Sequence, residues 1–337
     1  MGYLYALLAS LLFGANGSVA KVVMDAGLSP TQLTMFRTLG TFVISGIVLI
    51  IIERQALRIS ARQLGVMAIL GVVGVAILQA SYAVAVQLMP VGIALLIEYL
   101  AVLFVPMIAF VFFKEKVRTR LWVAIALVLV GLAFVAQIWS GTLNGLGVVM
   151  ALIAASALTV YFLVGERQLG TTSPLAVLFW SSGFAAAFWL IFSGWWEIHP
   201  AILTTPVSLS GNLDGVILPL WIPLAWCVGM GSFVPFLLSL SAIKRLSATT
   251  AGVIATSEVI FAFTVAWLWL GEALNPLQIA GAAVVTAGIV LAQTSRAGKV
   301  LDPELSMTLT ITDNDLEEPH ATTRPSGTNF TKESSVG

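Results

Sequence analysis

Apolar residues fill one stretch of about twenty after another along this chain, and polar residues collect in the short gaps between them. A helix rising 1.5 Å per residue needs about 20 such residues to cross a hydrocarbon core. The pattern predicts ten helices, over 3–23, 30–52, 63–87, 90–113, 119–139, 144–166, 173–194, 215–240, 247–270 and 276–295. Pro30, Pro90, Pro174 and Pro276 stand at or beside four of the starts, where a missing N–H loses no intrahelical bond. The first twenty residues end in small side chains, as a signal peptide would. They lack a basic start and nothing soluble follows, so they read as the first spanning helix.

Composition agrees with a membrane chain. Of 337 residues, 59% are hydrophobic and 9% charged, against about 25% charged in soluble domains. The net charge of +0 hides a segregation. Arg54, Arg58, Arg62, Lys114, Lys116, Arg118, Arg120, Arg167, Lys244, Arg245, Arg296 and Lys299 all fall in loops on one side. The other side has Lys21 with Asp25, Glu197, Asp214 and Glu272. The positive-inside rule then predicts a multi-pass protein of the plasma membrane with both termini cytoplasmic. Residues 297–337 are polar and poor in large apolar side chains, which predicts a disordered cytoplasmic tail. The sequon Asn329–Phe330–Thr331 in that tail would carry no glycan. With one cysteine, Cys227, there is no intrachain disulfide and no cysteine metal cluster.

The two halves resemble each other. Aligning 6–37 with 150–181 places Pro30 on Pro174. Aligning 112–131 with 269–288 places Glu115 on Glu272 and Gly131 on Gly288. The expected organisation is a first five-helix repeat over 1–140, a second over 141–296, and the tail. Five is odd, so the second copy enters from the opposite face. Inverted repeats of this kind characterise secondary transporters.

Few charges lie inside the predicted helices, and such groups are functional-site candidates that face protein or water. Arg37 and Glu98 sit seven and eight residues after prolines at helix starts on the same side, about 10–12 Å deep. Equal depth allows an Arg37–Glu98 pair. Glu258 lies about 18 Å in from the other side, on the helix that the repeat matches to that of Glu98. Three readings of Glu98 stand open: a structural partner of Arg37, a site for a cationic substrate group, or a protonatable coupling group. Asn16, Ser18, Gln79, Tyr82, Tyr161, Trp180, Ser181, Ser182 and Ser257 are further candidates, each with a helix–helix hydrogen bond as its plainer role. Gly14 and Gly17 around Asn16 suggest close backbone approach or local unwinding. Pro106 and Pro235 suggest kinks. Glu115 and Glu272 suit the N-terminal dipoles of the helices that follow them. No zinc-protease, P-loop, nucleophile-elbow or cysteine-cluster motif occurs, so an enzyme is not expected. Transport would run on a gradient or be facilitated.

LMPVGIALLIEYLAVLF followed by FKEK, and SATTAGVIATSEVIFAFTVAWLWLGEALNPLQIAGAAVVTAGIVLAQ, resemble the drug/metabolite transporter superfamily, in its ten-helix branch with two EamA domains. The GIA-x-x-x-E stretch at 92–98 is similar to the threonine/homoserine exporter subgroup. Val259 stands where the second-repeat pattern usually has proline. The resemblance implies a central cavity, alternating access and export of amino acids or related metabolites, with Glu98 as the cavity carboxylate and Glu258 as the second-repeat counterpart of the acid before the usual proline. Asn16, Arg37, Tyr82, Tyr161 and Trp180 complete the expected substrate site. The expected fold is thus an all-α membrane protein of ten transmembrane helices in two inverted five-helix repeats. The leading function is a secondary exporter of a threonine- or homoserine-like amino acid, with proton coupling an option. The alternatives are export of hydrophobic cations, held by Trp180, Tyr82 and Tyr161 beside Glu98, and a non-transporting receptor or scaffold. The expected partners are the bilayer and a small-molecule substrate, with no cofactor, metal or nucleic acid; oligomeric state is left open.

Overall fold

The structure, a computed structural model, describes residues 1–101, 104, 119–136, 143–246, 248–273 and 275–294. The expected helix 90–113 beyond residue 104, with Pro106, lies outside them. So do Lys114, Glu115, Lys116, Arg118, residues 137–139, Arg296, Lys299 and the tail 297–337.

The described helices are α1 (Gly2–Asp25), α2 (Pro30–Ile52), α3 (Ala61–Leu88), α4 (Val91–Glu98), α5 (Thr119–Ala136), α6 (Gly145–Leu169) and α7 (Pro174–Phe192). They continue with α8 (Trp221–Leu246), α9 (Ala248–Ala255, then Ser257–Val265 and Ala266–Leu270) and α10 (Pro276–Thr294). Among the described residues, seven helices are long and apolar enough to cross a membrane; α5 and α10 contain shorter apolar helices. Starts follow the local chemistry. Ser29 caps α2 in a reciprocal box with Gln32, with Pro30 in the first turn. Ser173 caps α7 ahead of Pro174, and the Asn144 side chain accepts from two amides at the start of α6.

Two expectations need correction. The apolar run after residue 214 does not begin a helix at 215. Residues Pro206–Ser208 and Ile217–Pro219 pair as a small antiparallel ribbon, and α8 starts at Trp221. The protein is therefore not wholly α-helical. The ribbon lies on the end of α9, where Trp269 Nε1 donates to the Leu209 carbonyl at 2.8 Å. Second, α1 does not unwind at Asn16; it is continuous from Gly2 to Asp25. Its glycines serve close approach instead. A Cβ on Gly14 would lie 2.9 Å from the Glu258 carbonyl oxygen on α9.

Packing places α1 against α8 and α9, α6 against α3 and α4, α2 along α7, and α5 along α10. The α5–α10 contact is backbone on backbone, since a Cβ on Gly131 would meet the Gly281 oxygen at 2.8 Å. Two helices carry π-type turns in mid-span, α3 over Leu70–Ile77 and α8 over Gly229–Phe233, the latter just before Pro235. One apolar cluster fills the end of the bundle near Val91, with Val23, Leu28, Leu33, Val86, Cys227 and Ala262 buried. A second lies toward the other end, around Met67, Leu70, Leu158, Phe236 and Leu240.

Candidate functional site

A cavity lies inside the bundle between these clusters. It is lined from seven helices, among them α1 through Asn16, α2 through Arg37, α3 through Gln79 and Tyr82, and α4 through Glu98 and Tyr99. Tyr161 of α6, Glu258 of α9, Ser10 of α1 and Ser239 of α8 complete the polar lining. It extends along Ala6 and Ala9 of α1, Ala242 of α8 and Ala251 of α9 toward the end that bears Met1. Six of the seven expected site residues thus meet in one space. Trp180 does not: it lies on α7 with its ring edge-on to Phe179, 5.2 Å between centroids. α7 is committed to packing on α2, which leaves this ring outside the cavity.

Arg37 and Glu98 share the cavity but form no ion pair. Arg37 Nε donates to Ser232 Oγ at 2.8 Å, and Nη2 donates to the Gly231 carbonyl at 3.1 Å. Both partners belong to the π segment of α8, where the wide turn presents a free carbonyl to the guanidinium. Equal depth placed the two charges on one level, but they sit on different helices and Arg37 turns to α8. Gly231 also makes room for Asn16, since a Cβ there would overlap the Asn16 amide.

Six polar atoms in this lining are buried and make no hydrogen bond within the protein: Asn16 Oδ1, Arg37 Nη1, Gln79 Oε1, Tyr82 Oη, Glu98 Oε2 and Tyr161 Oη. Each such group costs about 1–3 kcal/mol when left alone. A set of three acceptors, one cationic donor and two hydroxyls around one space is the pattern of a site for a polar solute. Asn16, Arg37, Gln79 and Glu98 are each under a tenth exposed, so bulk water does not satisfy them from outside.

Glu258 is held differently. Tyr99 Oη lies 2.8 Å from Glu258 Oε2 and 2.7 Å from the Ala255 carbonyl oxygen. Sequence reasoning passed over Tyr99, because it follows Glu98 by one residue and a regular helix would turn it aside. α4 makes a turn there, with Tyr99 at φ −68, ψ −4. Glu272 also departs from its expected role. Its Oε1 pairs with Lys21 Nζ, and its Oε2 accepts from the Val91 amide at 3.0 Å. It serves the N-terminus of α4 rather than that of α10, which starts at Pro276. The same pair neutralises Lys21, the one cation that ran against the charge segregation.

The model of the EamA-like transporter family matches residues 1–137 and again 145–294. The chain belongs to the EamA-like transporter family. Its relatives include a protein described as an uncharacterized transporter from Archaeoglobus fulgidus, 24% identical over 216 residues, covering 63% of this chain and 71% of that one. Another, of the same description from Clostridium kluyveri, is 22% identical over 308 residues, covering 86% and 92%. A solved crystal structure shares the fold at a TM-score of 0.58 and 15% identity, over 90% of this chain and 98% of that one. Within this EamA-like transporter the long apolar helices make a multi-pass membrane protein, and the relatives make transport its general function.

Proposed function

We propose that this EamA-like transporter is a secondary exporter of a small zwitterionic amino acid of the threonine or homoserine type, working by alternating access. The observation that carries the reading is the set of unpartnered polar atoms in the cavity. Glu98 Oε2, Asn16 Oδ1 and Gln79 Oε1 suit an ammonium group. Arg37 Nη1 suits a carboxylate, and Tyr82 Oη suits either, or a side-chain hydroxyl. A hydrophobic monocation would satisfy the acceptors and leave Arg37 Nη1 alone, and without Trp180 it would lose one of its three aromatic contacts.

The two-repeat, ten-helix inverted organisation, with boundaries at 140 and 296, is part of this reading. It is supported by the twofold family match and by the packing. Exchanging α1 with α6, α3 with α8 and α4 with α9 carries α1–α8 into α6–α3 and α1–α9 into α6–α4. It leaves α2–α7 and α5–α10 as self-matched pairs. The π turns of α3 and α8 also correspond, as do the irregular turns after Glu98 and at Thr256. The charge segregation supports a plasma-membrane orientation with the Met1 end cytoplasmic, so the cavity extends toward the side from which an exporter loads.

The test is efflux of labelled amino acids from loaded cells, comparing wild type with Glu98→Gln at equal membrane abundance. Losing a bond to a charged group, about 1.5–3 kcal/mol, predicts about 10- to 100-fold slower threonine or homoserine efflux. Equal efflux from both would leave Glu98 a structural contact. Efflux of lipophilic cations alone would transfer the site to the second reading.

A further inference from the structure

Hydrogen counting at Tyr99 goes beyond substrate class. A tyrosine hydroxyl has one proton to give. Tyr99 Oη stands at full hydrogen-bond distance from two oxygens, Ala255 O at 2.7 Å and Glu258 Oε2 at 2.8 Å. Both distances are those of ordinary O–H···O hydrogen bonds, and one hydroxyl proton cannot point along both.

Ala255 O is a carbonyl and only accepts. It is also set free by the break in α9. The Val259 amide donates to Thr256 O, so the Ala255 carbonyl takes the Tyr99 hydroxyl in its place. With the Tyr99 proton directed there, the 2.8 Å contact needs a proton from the other side. A protonated carboxyl supplies one. The chain of donation then runs Glu258 O–H to Tyr99 Oη, and Tyr99 O–H to Ala255 O.

We propose that Glu258 is the proton-binding site of this transporter, occupied by a proton in the conformation described, and that its release of that proton couples transport to a proton gradient. The proposal rests on the transport reading for its second half only. In the release step the Glu258 O–H bond breaks, the proton passes to water in the cavity, and a carboxylate remains. Among the described residues, the ionisable groups around Glu258 are Tyr99 and Glu98 from α4, Tyr82 from α3, Tyr161 from α6 and, across the cavity, Arg37 from α2. α1 presents Asn16 to the cavity, and its Lys21 is engaged by Glu272. α8 presents Ser239, and the described part of α10 has no ionisable side chain. While Glu258 is neutral, the ionisable pair Glu98 and Arg37 balances in charge and suits a zwitterion. Loss of the proton sets a second carboxylate beside Glu98. The proton on Glu258 and the solute at Glu98 are therefore linked through one cavity.

Infrared spectroscopy of the purified protein, reconstituted in phosphatidylethanolamine–phosphatidylglycerol liposomes at neutral pH, tests the proton directly. The expected result is a neutral-carboxyl C=O band that Glu258→Gln removes and Glu258→Asp restores. A wild-type spectrum without such a band, or one unchanged by Glu258→Gln, overturns the proposal. The coupling is tested in the same liposomes with labelled threonine and a gradient of about one pH unit in either sense, which sustains at most about tenfold accumulation for one proton per solute. Wild type should accumulate threonine under one sense of gradient, and Glu258→Gln under neither. Accumulation by Glu258→Gln equal to wild type, or equilibration without accumulation by wild type, overturns the coupling and leaves the transport reading standing. If wild type moves no threonine at all, the transport reading falls, and the infrared result still decides the proton on Glu258.

Discussion

The two ends of the helix bundle are built on different plans. Near Val91, the space between helices is filled by Val23, Leu28, Leu33, Val86 and Ala262, all buried, with the Lys21–Glu272 pair and the Val91 amide joining α1, the α9–α10 loop and α4. Near Met1, the corresponding space is cavity, and Ala6, Ala9, Ala242 and Ala251 line it together with Ser10, Phe13 and Ser239. One end is sealed by packing and an ion pair. The other has small side chains along the cavity and is held by close contacts such as buried Gly2 against Leu246. A transporter that opens alternately needs such an asymmetry in any one state, because the end that is shut must be the better packed.

The largest effect that separates the ends comes from adding the same side chain to each. Gly92 sits in the sealed end, where a Cβ would lie 2.1 Å from the Phe263 ring. Gly92→Leu should destabilise by about 1–3 kcal/mol or more through overpacking. Ala9→Leu grows into the cavity and should leave stability nearly unchanged while blocking efflux. Thermal unfolding in detergent and efflux from loaded cells, measured on both variants, check the pair. Equal destabilisation by the two would erase the contrast.

How much of this was legible beforehand depends on the kind of signal. Helix positions were read well because long apolar runs and Ser–Pro starts are local: α2 matches at both ends, and α1, α3 and α7 fall within two residues of expectation. The start of α8 was missed because the ribbon strand Ile217–Pro219 is as apolar as a helix, and hydropathy alone does not separate the two. Six cavity residues were legible because polar side chains are costly in apolar helices and so mark protein-facing positions. Their partners were not. Depth along a helix is a sequence quantity, but azimuth and π turns are not, so Arg37 was matched to Glu98 rather than to Ser232 and Gly231. Tyr99 left no periodic trace, since its contact with Glu258 depends on an irregular turn.

An intermediate effect belongs to the ion pair. In a Cys227→Ala background, Ala9→Cys should react with a small membrane-impermeant maleimide and Val23→Cys, fully buried in the sealed end, should be protected. Lys21→Met removes a charge-assisted bond between α1 and the α9–α10 loop. At about 1.5 kcal/mol, that loss should raise labelling of Val23→Cys about tenfold. The side of the membrane from which each cysteine reacts also tests the orientation. Unchanged protection after Lys21→Met would assign the seal to apolar packing alone.

The smallest effect concerns the other end. Arg245, exposed at the end of α8, lies over the Tyr5 ring of α1 with 5.3 Å from its guanidinium carbon to the centroid. Such a contact at a wet site contributes about 0.5–1 kcal/mol. It bridges α1 and α8, the helices whose alanines line the way from Met1 to the cavity. If separation of these two helices admits solute, removing the bridge shifts that equilibrium by the same energy. Arg245→Gln and Tyr5→Leu should then each raise labelling of Ala9→Cys about two- to fivefold. The double variant should do no more than either single one, because both delete one interaction. Additive effects would mean that Arg245 and Tyr5 act through separate partners. No effect from either would leave the Leu246–Gly2 packing as what holds this end together, making the two ends alike in their reliance on apolar contact.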